Sequence, residues 1–181
     1  MSEKPRILGT HTVARTRLFH IEAVDLRFAN GVEAQYERIV GAPQGAVLMV
    51  PMRDRNTVLL TREYAGGMDR YELALPKGRI EAGESAEAAA EREMMEEIGF
   101  GARRLRRITS LSIAPGYLAH TTHVILAQEL YPAARTGDEP EPIEVVPWRL
   151  DNLGELLGRE DFTEARSIAA LFMVRELLAH E

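Results

Sequence analysis

The 23-residue stretch from Gly78 to Phe100 restricts this chain more than any other part of its sequence. Gly78 and Gly83 allow a sharp loop, because a residue without a Cβ enters backbone conformations closed to the others. Ser85 has the side chain of a helix N-cap, and Glu87 follows near the positive end of the helix dipole. Alanine-rich filling and a terminal Gly99 predict a helix over 85–98. Its last two turns crowd Glu93, Glu96 and Glu97 together. Glu93 and Glu97 lie one turn apart on one face, where like charges cost about 0.2–0.5 kcal/mol per pair. They also sit at the negative end of the dipole. Arg92 neutralises one carboxylate at most. Two readings follow. One is a solvated acidic face. The other is a divalent-cation site: three hard oxygen donors suit Mg2+ or Mn2+, with waters and a substrate phosphate completing an octahedron.

Hydrophobic period organises the rest. Phe19, Ile21 and Ala23 alternate with His20 and Glu22, and Val24, Leu26 and Phe28 alternate with Asp25 and Arg27, as in a half-buried strand. The phase slips at Ala23-Val24, which predicts a bulge or a change of face. Asn30-Gly31 predicts a tight hairpin with positive φ at both residues, returning along Glu33 to Val40. Three strands expose at least one face and one edge, which something must cover. Gly41 to Gly45, with Pro43, reads as a joint between an N-terminal unit, 1–43, and a second domain, 44–181. Ala46 to Val50 is continuously apolar, as a central buried strand is. Further strands are expected at Thr57–Thr61, Tyr71–Leu75, 105–114, 121–128 and Val145–Trp148, with a turn at Pro115-Gly116 and a second helix over 163–179. The fold class is α/β (α+β).

Composition removes several chemistries. The 181 residues include no cysteine, which excludes disulfides, thiolate catalysis and Cys-ligated metals. Twenty-two Lys and Arg against 28 Asp and Glu give a net charge of −6. That balance disfavours a broad nucleic-acid surface, though not a small anionic substrate, whose bound cations reverse the local field. No apolar run approaches the roughly 20 residues of a membrane span. Met1 to Pro5 lacks a basic region followed by an apolar one, so a cytoplasmic protein is expected. His11, His20, His120, His123 and His180 show no metal-ligand spacing and read as surface or packing residues. Trp148, Met94 and Met95 read as packing.

The Gly78–Phe100 segment resembles the Nudix box, G-x5-E-x7-R-E-U-x-E-E-x-G-U with U apolar. Gly78, Glu84, Arg92, Glu93, Met94, Glu96, Glu97, Gly99 and Phe100 stand at its nine fixed positions. The resemblance implies a Nudix α/β/α sandwich with a mixed sheet, the box forming a loop–helix–loop, here preceded by a small N-terminal antiparallel sheet. It implies hydrolysis of a nucleoside diphosphate linked to another moiety, dependent on Mg2+ (or Mn2+). Glu93, Glu96 and Glu97 are then the metal ligands, helped by a backbone carbonyl of Lys77 or Gly78, and Glu84 and Arg92 brace loop to helix. The chemistry is coherent. Diphosphates are inert because their oxygens repel a nucleophile, and metal ions neutralise those oxygens and lower the pKa of the attacking water.

Outside the box, "VARTRLFHIEAVDLRFANGVEAQYER" is similar to the exchanged N-terminal domain of ADP-ribose pyrophosphatases. The runs "YELALPKGRIEAGES", "GDEPEPIEVVPW" and "EARSIAALFMVREL" resemble a bacterial branch of the family that acts on ADP compounds. This implies activity on ADP-ribose, diadenosine polyphosphates and NADH, with AMP released from ADP-ribose. It also implies a homodimer whose sites draw on both chains, Glu37 and Arg38 contributing. Pro115 stands where ADP-ribose pyrophosphatases carry a proline, and Tyr117 near where dinucleoside polyphosphate hydrolases carry a tyrosine. Arg62-Glu63-Tyr64-Ala65 departs from the Arg-Gln-Tyr-Arg run of the former: Ala65 offers no side chain to a phosphate, so either Arg62 substitutes or the pocket is more open. Beyond the box, Glu139 matches the catalytic base and Glu141 a further metal ligand, with Glu144 next in line as base. Pro140 and Pro142 stiffen that arm, and Gly137 offers a hinge. Two other readings remain. Arg103, Arg104, Arg106 and Arg107 could meet an RNA end, giving a decapping enzyme for nucleotide-capped RNA. A silent sensor would only bind ADP-ribose, and the intact Glu93, Glu96 and Glu97 speak against it.

Overall fold

The alternation over 19–28 builds a sheet. In the computed structural model, which describes residues 3–137 and 139–180, β1 (Arg6–Arg15), β2 (His20–Arg27) and β3 (Glu33–Val40) pair antiparallel in sequence order. A short β9 (Leu118–Ala119) adds to β3 in parallel. Residues 1–45 and 112–121 thus form one compact unit, and residues 46–111 and 122–181 the other.

Two expectations for the first unit need correction. The hairpin does not place positive φ at both Asn30 and Gly31. Gly31 alone has it, at 83°. The N–H of Gly31 donates to the Phe28 carbonyl at 2.9 Å, and that of Phe28 to the Val32 carbonyl at 2.9 Å. This is a longer loop, closed by a left-handed glycine, with the Asn30 side chain accepting from the Val32 N–H at 3.1 Å. Nor does β2 bulge at Ala23-Val24. Its register against β3 runs on unbroken, and the irregularities lie in β1, at Ile7/Gly9 and Thr12/Ala14. The phase slip marks instead a point where consecutive residues on opposite faces, Ala23 and Val24, are both buried.

In the second unit, β4 (Ala46–Pro51) is central. β7 (Lys77–Arg79) flanks it antiparallel and β10 (Thr122–Pro132) parallel, and β8 (Phe100–Leu111) closes the sheet against β10. The sheet is therefore mixed, with order β7-β4-β10-β8. β5 (Thr57–Ala65) pairs β6 (Arg70–Ala74) and β11 (Glu144–Arg149) in a second sheet. The period of two sorts β4 onto two faces. Val47 and Met49 join Ala89, Ala90 and Met94 of α1 (Ala86–Glu97). Leu48 and Val50 join Leu60, Leu73, Ala170 and Leu171, the last two from α3 (Ala165–Ala179). Each fully buried Leu, Val or Met stabilises by roughly 1.5–3 kcal/mol. The small Ala89 and Ala90 leave α1 close against the sheet, which fixes the box to β4.

Element ends explain the remaining differences. Ser85 caps α1, its Oγ accepting the Ala88 N–H at 3.1 Å, and Gly99 ends it with φ 74°. Glu164 caps α3, its carboxylate accepting the Ser167 N–H at 2.8 Å. The strands expected at 105–114 and 121–128 are longer at one end, to Phe100 and Pro132. They are not joined by a simple turn at Pro115-Gly116: residues 112–121 leave that sheet for β9. A one-turn 3-10 segment, Leu150–Asn152, and a short α2 (Leu153–Leu157) were too brief to show a helical period.

Candidate active site

Arg92, on α1, holds the loop before the helix to the helix itself. Its Nε and Nη2 donate to the two Glu84 carboxylate oxygens at 3.0 and 3.1 Å, and Nη2 also reaches the Arg79 carbonyl at 2.9 Å. Glu84 accepts in addition the Glu81 N–H at 3.0 Å. The hydrogen bonds from Arg92 hold the Glu84 carboxyl below its ordinary range. A brace between these two residues is what the resemblance to the Nudix box implies. The remaining Nη1 of Arg92 reaches Glu93 at 2.8 Å and Glu96 at 3.2 Å.

Three carboxylates of α1 and one from the arm border a cleft of about 710 Å3: Glu93, Glu96, Glu97 and Glu139. Burial pushes Glu93 above its usual value, against the opposing pull of Arg92. Glu97 is nearly buried, its carboxylate accepting the Lys77 N–H at 3.1 Å. Burial, and then the charge of Glu63, push its pKa up to about 9. Lys77 Nζ lies 3.2 Å from Glu63. Two glycines make the room. A Cβ on Gly78 would overlap the Glu93 carboxylate, and one on Gly137 would overlap that of Glu139.

Among the described residues no three of these side chains converge as a ready-made metal cage, and the Arg92 guanidinium bridges Glu93 and Glu96. The donor set nevertheless fits a hard divalent cation. It consists of oxygens only, and two of its carboxylates are raised in proton affinity by burial, so a cation relieves what desolvation and crowding impose.

The other expected residues divide into three places. Glu37, Arg38, Pro115 and Tyr117 gather around a cavity of about 300 Å3 within the first unit, with Ile7 and Tyr36. Arg38 is engaged there by Glu22 at 3.1 Å. Arg62 lies 3.4 Å from Glu144 and 3.8 Å from Asp161, with its guanidinium 5.1 Å above the Tyr71 ring. Glu139 faces the carboxylate cleft, whereas Glu141 turns to Tyr71, whose hydroxyl donates to it at 2.6 Å. Glu144 starts β11 and stays with Arg62, outside the cleft. Asp138 lies outside the described residues. Sequence reasoning passed over Glu63, the Lys77 ammonium and Tyr71. No sequence signal pointed to Tyr71, since alternation over 71–75 sets it on the face of Leu73 and Leu75.

Of the arginines on β8, Arg103 lies over Tyr131 and Arg107 donates to Ser110 at 2.7 Å. His123 accepts or donates at Ser110, 2.9 Å away, and His20 sits 3.1 Å from Thr12, neither at the cleft. Trp148 packs against the core and donates to the Asn152 carbonyl. No helix among the described residues is long and apolar enough to cross a membrane.

Residues 5–38 match the NudE-type Nudix hydrolase N-terminal domain, and residues 42–171 match the NUDIX domain. The chain is 49% identical to the ADP compounds hydrolase NudE of Escherichia coli, over 97% of this chain and 94% of that protein. It is 30% identical to an ADP-ribose pyrophosphatase of Bacillus subtilis, over 91% of each. A crystal structure of an ADP compounds hydrolase superposes with a TM-score of 0.92 at 48% identity, covering 99% of this chain and 97% of the other.

Proposed function

The chain belongs to the Nudix hydrolases and is a pyrophosphohydrolase, and from that premise we propose that it cleaves the diphosphate linkage of ADP conjugates with the help of Mg2+ or Mn2+. ADP-ribose, diadenosine polyphosphates and NADH are the substrates, and ADP-ribose yields AMP. The meeting of Glu93, Glu96, Glu97 and Glu139 in one cleft carries this reading.

When bound, the cation neutralises the diphosphate oxygens and lowers the pKa of the attacking water. Glu93, Glu96 and Glu97 would hold it, with the Lys77 or Gly78 carbonyl. Glu139 takes a proton from water as the water oxygen bonds to phosphorus. The bridging P–O bond breaks, and its electron pair leaves with the departing phosphate. Arg92, held by Glu84, keeps Glu93 and Glu96 aimed while their charges repel. The proteins of this likeness named for ADP compounds and ADP-ribose support the substrate class.

We further propose a cytoplasmic homodimer assembled through the first unit, with Glu37 and Arg38 serving the partner's site. Ile7, Tyr36, Phe19 and Tyr117 are about half exposed in a single chain, which supports a covering partner.

A hydrolysis screen over the three substrates, with products identified by mass, tests the assignment. AMP from ADP-ribose, abolished by chelator, is the expected result. Glu139→Gln should lower kcat about 10²–10⁴-fold while metal affinity holds. Binding of ADP-ribose with no product would instead indicate a sensor.

A further inference from the structure

We propose that Tyr71 is a positioning residue: its hydroxyl, docked on Glu141, fixes the arm residues Glu139 to Ile143 so that Glu139 is presented to the carboxylate cleft. This rests on the role given to Glu139 above.

Proline locks φ near −65° and stiffens the arm, which bends at Pro140 and Glu141. Glu139 and Glu141 are two apart with a proline between them, and their paths diverge. Glu139 borders the cleft beside Glu93 and Glu96, while Glu141 accepts the Tyr71 hydroxyl at 2.6 Å. That bond is the only side-chain hydrogen bond made by the described arm residues Glu139 to Ile143. Downstream, the pairing of Glu144 with Arg62 anchors the arm to β5. Upstream, Gly137 leaves the backbone with no Cβ to hinder Glu139. Between these ends the position of Glu139 depends on where Glu141 is held.

Tyr71 is itself a fixed point. On β6 it stands opposite Tyr64 of β5, their rings 5.7 Å apart and edge-to-face. The Tyr64 hydroxyl is tied to Asp69 at 2.5 Å. The Arg62 guanidinium covers the Tyr71 ring at 5.1 Å and reaches Glu144 as well. Arg62 therefore belongs to the support of the arm, which accounts for its place beside Tyr71 rather than in the cleft. A cavity of about 130 Å3 between β5 and the arm, bordered by Arg62, Tyr64, Glu141 and Pro142, gives a released arm space to shift.

The test uses full-length Tyr71→Phe, Glu141→Ala and the double variant. Misplacing a catalytic group by about 1 Å costs up to about 10²-fold. Tyr71→Phe should therefore lower kcat for ADP-ribose at saturating Mg2+ by about 10–100-fold, leaving KM within about threefold. Added to Glu141→Ala, it should lower kcat no further. Amide exchange of residues 137–143 in the metal-free protein should be faster in Tyr71→Phe than in the parent. Unchanged kcat and exchange in Tyr71→Phe would overturn the assignment, and so would an undiminished loss in the Glu141→Ala background. An inactive parent would instead refute the proposed function, and exchange alone would then decide whether Tyr71 holds the arm.

Discussion

Gly78→Ala separates the chemistry of the cleft from the stability of the fold. The three atoms nearest a Cβ on Gly78 all belong to the Glu93 carboxylate, and no backbone atom is among them. The new methyl group must therefore displace Glu93, which is a flexible side chain, rather than β7 itself. Moving it breaks the bond from Arg92 Nη1, 2.8 Å long, and a hydrogen bond to a charged group contributes about 1.5–3 kcal/mol net. Three effects offset that loss. Arg92 keeps Glu84 and Glu96. Glu93 regains the solvation whose absence raises its proton affinity. Gly78 has no positive φ, so alanine there restricts the unfolded chain and returns about 0.4–1 kcal/mol. The change in unfolding free energy should stay within about 2 kcal/mol. Activity should respond very differently. Under the proposed function Glu93 is a metal ligand, and losing one in the transition state lowers kcat by about 10²-fold or more. Urea unfolding and steady-state hydrolysis of ADP-ribose at saturating Mg2+ measure the two quantities. Gly154→Ala is the control, since a Cβ there meets nothing within 4 Å. A folded Gly78→Ala protein with parent-like kcat would refute the claim that Glu93 must sit where Gly78 admits it.

Other outcomes follow from the same geometry. Glu97→Gln should lower turnover by about 10²-fold or more, while stability at pH 7 holds or rises, because a carboxyl whose folded pKa is pushed up to about 9 must take up a proton on folding and glutamine need not; a destabilised variant in urea would count against this account. Glu84 is held below its usual value of 4.5 by the Arg92 hydrogen bonds. Its folded state thus binds fewer protons than the unfolded one, and its stabilisation is present above about pH 4.5 and lost as pH falls through the depressed value. Glu84→Gln should accordingly be less stable than the parent at pH 7 by about 1.5–3 kcal/mol, with the gap closing in acid; a gap independent of pH would show that the brace is not ionic. Light scattering should report about twice the monomer mass, and an active monomer lacking residues 1–40 would remove the dimer from the mechanism.

The box was legible because it is local. Helix start and stop, the carboxylate spacing on one face, and the Arg92–Glu84 pairing all lie within 23 consecutive residues, and an α-helix turns spacing in sequence into spacing in space. The unbroken apolar run of β4 was legible for the same reason, being local. The loop of the first hairpin was harder, since Asn30-Gly31 is compatible with more than one turn type. The true one is settled by how far the Phe28–Val32 pairing extends.

What the sequence determined by itself is the chemistry: hard acidic donors on a helix end, a guanidinium to brace them, and an acidic arm stiffened by prolines. Tertiary structure decided which of those groups meet. Glu139 and Glu141 stand two residues apart on one acidic arm, yet Glu139 borders the cleft while Glu141 accepts the hydroxyl of Tyr71, 70 residues earlier in the chain. Pro115 and Tyr117 read as part of a turn between two strands, yet β9 carries them to β3 beside Glu37 and Arg38. Such contacts depend on the pairing of distant strands, and strand pairing is set by which faces are buried together rather than by any period within one segment.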